Sequence, residues 1–117
     1  IAEIAGTAVL LIGVMAVLDE RNLGAKANMG PLLVGFVVLT VGLTLGGPSG
    51  YAINPARDLG PRLFGALVGT KGLFSGPYWI VAPIIGPLIG GPLGVILYDL
   101  FITPFLPEKK EGQEGGE

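Results

Sequence analysis

Neither cysteine nor histidine occurs anywhere in this sequence. Their absence excludes disulfides, thiol chemistry, most zinc and haem sites, and nucleophiles activated by a histidine base. Charge is scarce as well. Asp, Glu, Lys and Arg make up 14% of the residues, a little over half the share of an ordinary soluble domain. Neither sign dominates, since the formal net charge is −2, and with no basic excess a nucleic-acid partner is not expected. An initiating Met and a basic segment ahead of a cleavage site are both missing. The chain opens inside an apolar run, Ile1-Ala2-Glu3-Ile4, and is expected to be a piece of a longer protein, cut at or within a helix.

What is abundant is apolar surface and glycine. Half of the residues are hydrophobic and 21 are glycine, without a collagen period. The mean hydropathy is +0.70. Such a chain reads as closely packed transmembrane helices, an all-α membrane protein of three spans. Residues 1 to 18 carry Glu3 as their only charge and suffice for one span. The connection from Asp19 to Gly30 is polar. Pro31 opens a second span reaching Leu45. The cluster Gly46-Gly47-Pro48-Ser49-Gly50 is read as a breaker that ends the helix and runs extended into Asn54. A loop from Gly69 to Gly76 leads to Pro77 and a long apolar run through Ile102. Tyr78, Trp79, Tyr98 and Phe101 stand at its two ends as interfacial anchors. Pro83, Pro87 and Pro92 are expected to bend it. Residues 104 to 117 are rich in Glu, Lys and Gly and read as a disordered aqueous tail. The distribution of Lys and Arg mildly favours the 19–30 connection and the tail on the cytoplasmic side. A plasma or inner membrane is the expected location.

Glycines recur one helical turn apart. Gly42 and Gly46 form one pair; Gly86, Gly90 and Gly94 form a series. Close helix packing accounts for such spacing. For Gly42 a second reading stands beside it, a pore wall kept free of side chain.

Between the second and last spans lies Gly50-Tyr51-Ala52-Ile53-Asn54-Pro55-Ala56-Arg57-Asp58. Asn54 is a good N-cap and Pro55 a good first helical residue. The helix that starts here should run to about Val68, roughly 18 Å, half of a hydrocarbon core. A short helix opening at membrane depth is expected to be re-entrant. Irregular backbone persists there only when it is buried in protein or lines a watery cavity. A lone Arg57 in an apolar protein needs such a cavity too. The carbonyls of Gly50, Tyr51, Ala52 and Ile53 are acceptors leading to the Asn54 amide. The helix N-terminus and Arg57 supply a positive field that opposes cations and protons. The expected permeant is small, neutral and polar.

Asn54-Pro55-Ala56-Arg57 resembles the second Asn-Pro-Ala motif of the aquaporin, or major intrinsic protein, family. The resemblance covers residues 1 to 103. It implies the second half of the aquaporin fold: one inverted repeat of three transmembrane helices (about 1–18, 31–45 and 77–102) plus a re-entrant loop with a half-helix at 54–68. It further implies that Glu3 steadies the re-entrant backbone and that Gly42, Tyr51 and Arg57 occupy selectivity-filter positions. Asp58, Gly60-Pro61 and Arg62 resemble the aquaglyceroporin, or glycerol facilitator, branch. Asp58 is then either a spacer that opens the loop or the partner of Arg62 at i and i+4.

The resemblance implies a passive glycerol and water channel that excludes protons and ions, without enzymatic activity or cofactor, embedded in a lipid bilayer. It implies a first repeat or a second chain to complete the pore, and a homotetramer of the intact protein. Two alternatives stand beside it. One is a half-channel with no conductance of its own. The other is a proton-coupled transporter using Glu3 and Asp58.

Overall fold

A computed structural model describes residues 1–22 and 24–108. Helix α1 spans Ala2–Leu18, α2 Gly30–Ser49 and α3 Pro55–Leu67. The last segment begins as α4, Tyr78–Ile80, passes through a π-helical turn at Val81–Ile85, and continues as α5, Gly86–Phe101. A 3-10 turn follows at Thr103–Phe105. No strand occurs among the described residues. Among the described residues two segments are long and apolar enough to cross a bilayer, Gly30–Ser49 and Tyr78–Phe105. The third apolar helix, Ala2–Leu18, has 17 residues.

The core is a seam between the first and last helices. Gly86, Gly90, Gly94 and Tyr98 recur every fourth residue of α5, and all are buried. The three glycines face Glu3, Thr7 and Ala8 of α1, which are buried in turn. The approach is too close for a methyl group. A Cβ on Gly86 would lie 2.7 Å from the Glu3 Cβ, and one on Gly94 would lie 2.5 Å from the Ala8 carbonyl oxygen. A Cβ on Gly90 would run into the Ile4 carbonyl. The three glycines therefore do what small residues one turn apart do in lipid: they let backbones touch. Helix α2 packs on the same α1, with Gly13 admitting Val37 and Gly6 admitting Val41.

At the aqueous end the seam is closed by polar groups. The Tyr98 hydroxyl donates to Asp19 Oδ2 at 3.0 Å. The Asp19 carboxylate also accepts from Arg21 Nε at 2.9 Å and Nη2 at 2.8 Å. The bonds from Arg21 hold the Asp19 carboxyl well below the usual carboxylate range. Tyr98 is 0% exposed, so it is a buried clamp and not the interfacial anchor that its position in the sequence suggests. Trp79 meets Phe74 edge to face at 5.1 Å.

Other expectations are corrected as well. Helix α2 does not stop at residue 45 but continues through Gly46, Gly47 and Pro48 to Ser49. At membrane depth, breaking the helix earlier would leave several carbonyls without partners, which costs more than a glycine or a proline near a helix end. Gly50 then caps the helix in the left-handed conformation, φ 83°, its amide donating to the Gly46 carbonyl at 2.7 Å. The stretch that follows is not extended, because Tyr51 (φ 42°) and Ile53 (φ 44°) are left-handed too. At the far end, 103–105 is helical rather than disordered, and the remainder of the expected tail from 109 lies outside the described residues.

Candidate functional site

The peptide groups of the loop 50–54 are aligned. With left-handed backbone at Gly50, Tyr51 and Ile53, the consecutive amides of Ala52 and Ile53 point to one side and the carbonyls of Tyr51 and Ala52 to the other. On one side the amides of Ala52 and Ile53 donate to Glu3, at 3.0 Å to Oε1 and 2.6 Å to Oε2. Ser49 Oγ donates to Glu3 Oε1 at 2.6 Å. Glu3 is 2% exposed, and each of its carboxylate oxygens has a donor. A left-handed β-branched residue such as Ile53 is strained by about 1–3 kcal/mol, and charge-assisted bonds of this kind offset that.

On the opposite side the carbonyls meet Arg57. Its Nη1 donates to the Tyr51 carbonyl at 2.6 Å and to the Ala52 carbonyl at 3.2 Å. The guanidinium carbon also lies 4.6 Å from the centre of the Tyr51 ring. The ring in turn lies on the glycine face of α2. A Cβ on Gly42 would stand 3.3 Å from Tyr51 Cε2, and one on Gly46 only 2.8 Å from Cδ1. Gly42, Tyr51 and Arg57 together line a cavity of about 350 Å³. Its other walls are Gly35, Val38, Leu39 and Leu43 of α2. The cavity thus has an apolar side and one guanidinium, an amphipathic slot.

Asn54 caps α3. Its side-chain oxygen accepts from the amides of Ala56 at 2.9 Å and Arg57 at 3.4 Å. That commits the oxygen and leaves the amide nitrogen as a donor. Pro55 is the first helical residue, as its fixed φ suits. The helix ends at Leu67 with Val68 as its C-cap, within a residue of the expected 54–68. Asp58 in its first turn and Arg62 one turn on form a two-pronged pair, 2.7 Å and 3.0 Å. Arg62 also donates to the Leu73 carbonyl and lies 5.9 Å over the Tyr78 ring.

The residues singled out from the sequence therefore fall into two groups. Gly42, Tyr51 and Arg57 share the cavity. Gly50, Ala52, Ile53 and Asn54 are not among its lining residues, and the Ala52 and Ile53 side chains are buried in the protein. The sequence alone does not single out Gly35, Val38, Leu39 and Leu43. Helical spacing could have found them, since 35, 38, 39, 42 and 43 lie on one face with Gly42. Nor does it single out Ser49, and it assigns Tyr78 to the interface alone. The Tyr78 hydroxyl in fact donates to the Ser49 carbonyl.

The profile of the Major intrinsic protein family matches residues 1–98 of this chain. A probable glycerol uptake facilitator protein of Thermotoga maritima is 51% identical over 102 residues, covering 85% of this chain and 42% of that protein. Aquaporin-10 of Homo sapiens is 39% identical over 111 residues, 93% of this chain and 37% of its own length. Aquaporin-9 of Mus musculus is 42% identical over 103 residues, 86% of this chain and 35% of its own. The chain spans 35–42% of the length of these relatives.

Proposed function

The chain belongs to the Major intrinsic protein family, and on that footing we propose that it supplies the selective half of a passive channel for glycerol and water. Members of the family are integral membrane channels and not enzymes. The observation that carries the proposal is the Arg57–Tyr51 pair facing the apolar α2 wall. Glycerol has a hydroxylic edge and a carbon edge. The guanidinium hydrogen-bonds the first, while the Tyr51 ring and the Leu39 and Leu43 side chains take the second. Gly42 keeps the slot wide by omitting a side chain. The fixed charge of Arg57 and the N-terminus of α3, about 20 Å long, oppose cations and protons. The Asn54 amide nitrogen adds a donor on the permeant's path. The names of two relatives, a glycerol uptake facilitator and aquaporin-10, support this permeant class.

Completion of the pore falls to a first repeat or a second chain, and the intact assembly is a homotetramer. The 19–30 connection and the C-terminal tail face the cytoplasm, in a plasma or inner membrane. A second reading is that the chain alone conducts nothing. It is favoured by the exposed apolar side chains of α2 and α3, Leu39, Leu43, Leu63 and Phe64, which have room for a further wall. Proton coupling is disfavoured, because the carboxylate oxygens of Glu3 are committed to the loop and those of Asp58 to Arg62.

Stopped-flow light scattering on liposomes decides between these readings. Glycerol entry above that of empty liposomes, altered by Arg57→Ala, supports a pore made by this chain. Entry equal to empty liposomes supports the non-conducting half.

A further inference from the structure

Tyr78 touches two structures that otherwise share little. Its hydroxyl donates to the carbonyl of Ser49, an orphan acceptor at the end of α2. A Cβ on the neighbouring Gly50 would stand 3.6 Å from that hydroxyl, so the two segments are in contact. The Ser49 hydroxyl in turn donates to Glu3 Oε1, and Glu3 accepts the amides of Ala52 and Ile53. The face of the same Tyr78 ring lies under Arg62, which the Asp58 carboxylate holds on α3. One side chain on the last helix is therefore in contact with both ends of the segment that carries Tyr51 and Arg57, by a hydrogen bond at one and a ring face at the other. The upstream end is reached through Ser49, the downstream end through Arg62.

We propose that Tyr78 is the positioning residue of this loop: through the Ser49 carbonyl and Ser49–Glu3 it fixes the orientation of the Ala52 and Ile53 peptides, and with them the spacing of Tyr51 and Arg57. Its effect on selectivity rests on the channel reading above; its effect on the loop does not. Tyr78 itself is not among the residues that line the cavity. The hydroxyl acts on a strained backbone, because Tyr51 and Ile53 are left-handed and relax when their bonds weaken.

The test compares amide hydrogen exchange at Ala52 and Ile53 in lipid nanodiscs with the glycerol-to-water permeability ratio in liposomes. The variants are Tyr78→Phe, Ser49→Ala and Tyr98→Phe. Tyr78→Phe keeps the ring on Arg62 and removes only the bond to Ser49. Tyr98→Phe removes a hydroxyl of the same kind from the Asp19 clamp, remote from the loop. Tyr78→Phe and Ser49→Ala should raise exchange at both amides about five- to tenfold, as the loss of one hydrogen bond implies, with Tyr98→Phe leaving them unchanged. The permeability ratio should shift in the first two variants and hold in the third. Exchange that Tyr78→Phe leaves unchanged, or that Tyr98→Phe raises equally, overturns the assignment. Raised exchange with an unshifted ratio overturns its link to selectivity. Absence of flux in the unsubstituted protein supports the non-conducting half and leaves the exchange result to decide the positioning role.

Discussion

The carboxylate of Glu3 accepts the amide proton of Ile53 at 2.6 Å, across 50 positions of sequence. A buried acid near the start of the chain thereby shapes a loop in its middle. Replacing it tests that coupling. Glu3→Gln keeps the shape but turns one acceptor oxygen into a donor facing donors. The expected cost is about 1–3 kcal/mol, read as a lowered unfolding temperature in detergent. Glu3→Asp, too short to reach both amides, should lose a similar amount. An unfolding temperature that holds in both variants would mean that the loop keeps its form without the acid.

The glycines of α5 separate packing from helix propensity. Gly94→Ala places a methyl group 2.5 Å from the Ala8 carbonyl, and the helices must part. A loss of about 1–3 kcal/mol is expected. Gly91 lies in the same helix with nothing within 4 Å of a Cβ, so Gly91→Ala should be neutral or stabilise by up to about 1 kcal/mol. Thermal unfolding of the two variants side by side gives the comparison, and equal shifts would contradict it.

Gly42→Ala adds a methyl group against the Tyr51 ring, 3.3 Å from Cε2, on the cavity wall. Glycerol flux should fall by more than water flux, because the wider permeant needs the missing side chain more. Gly35→Ala lies on the same wall in open space and should reduce glycerol flux less. Liposome swelling in glycerol and in an impermeant osmolyte measures both. Parallel losses of the two fluxes would place Gly42 outside the selective path.

Asp19 makes a prediction about pH. Hydrogen bonds from Arg21 lower its carboxyl below the value it has in the unfolded chain, about 3.9 for an aspartate. A depressed folded value means that the carboxylate contributes stability above about pH 4, and that the contribution fades as the medium becomes more acid than that. The unfolding-temperature difference between the native chain and Asp19→Asn should therefore stay constant from about pH 8 to 5 and shrink below about pH 4. A difference that already shrinks between pH 7 and 5 would contradict the assignment.

Much of the site is legible in the order of residues alone. The Asn54-Pro55 start of α3 rests on local rules of capping and fixed φ, which act over three residues and need no tertiary context. The pairing of Asp58 with Arg62 is local in the same way. What escapes is long-range. Nothing near Tyr98 in the sequence says that Asp19 will meet its hydroxyl, 79 positions away. Nor does Gly-Gly-Pro announce that α2 will run on to Ser49; turn propensity is the rule for chains in water, and it yields where backbone groups have no water to turn to. The left-handed Tyr51 and Ile53 are hidden for a related reason, since that backbone is held by Glu3 from a distant helix on one side and by Arg57 on the other.

The seam between α1 and α5 also has a bearing on synthesis. Within this segment α1 leaves the ribosome first, while the glycines that receive it come some 80 residues later, about 4–16 s at ordinary elongation rates. In that interval Thr7 is already content, its hydroxyl donating to its own helix at the Glu3 carbonyl, 2.7 Å away. The Glu3 side chain is not, for its donors at Ser49, Ala52 and Ile53 have yet to be made. An ionised acid without donors is poorly tolerated in lipid. Lodging of α1 is thus expected to be provisional until the loop emerges, so the nascent chain commits to its place in the bilayer late and all at once.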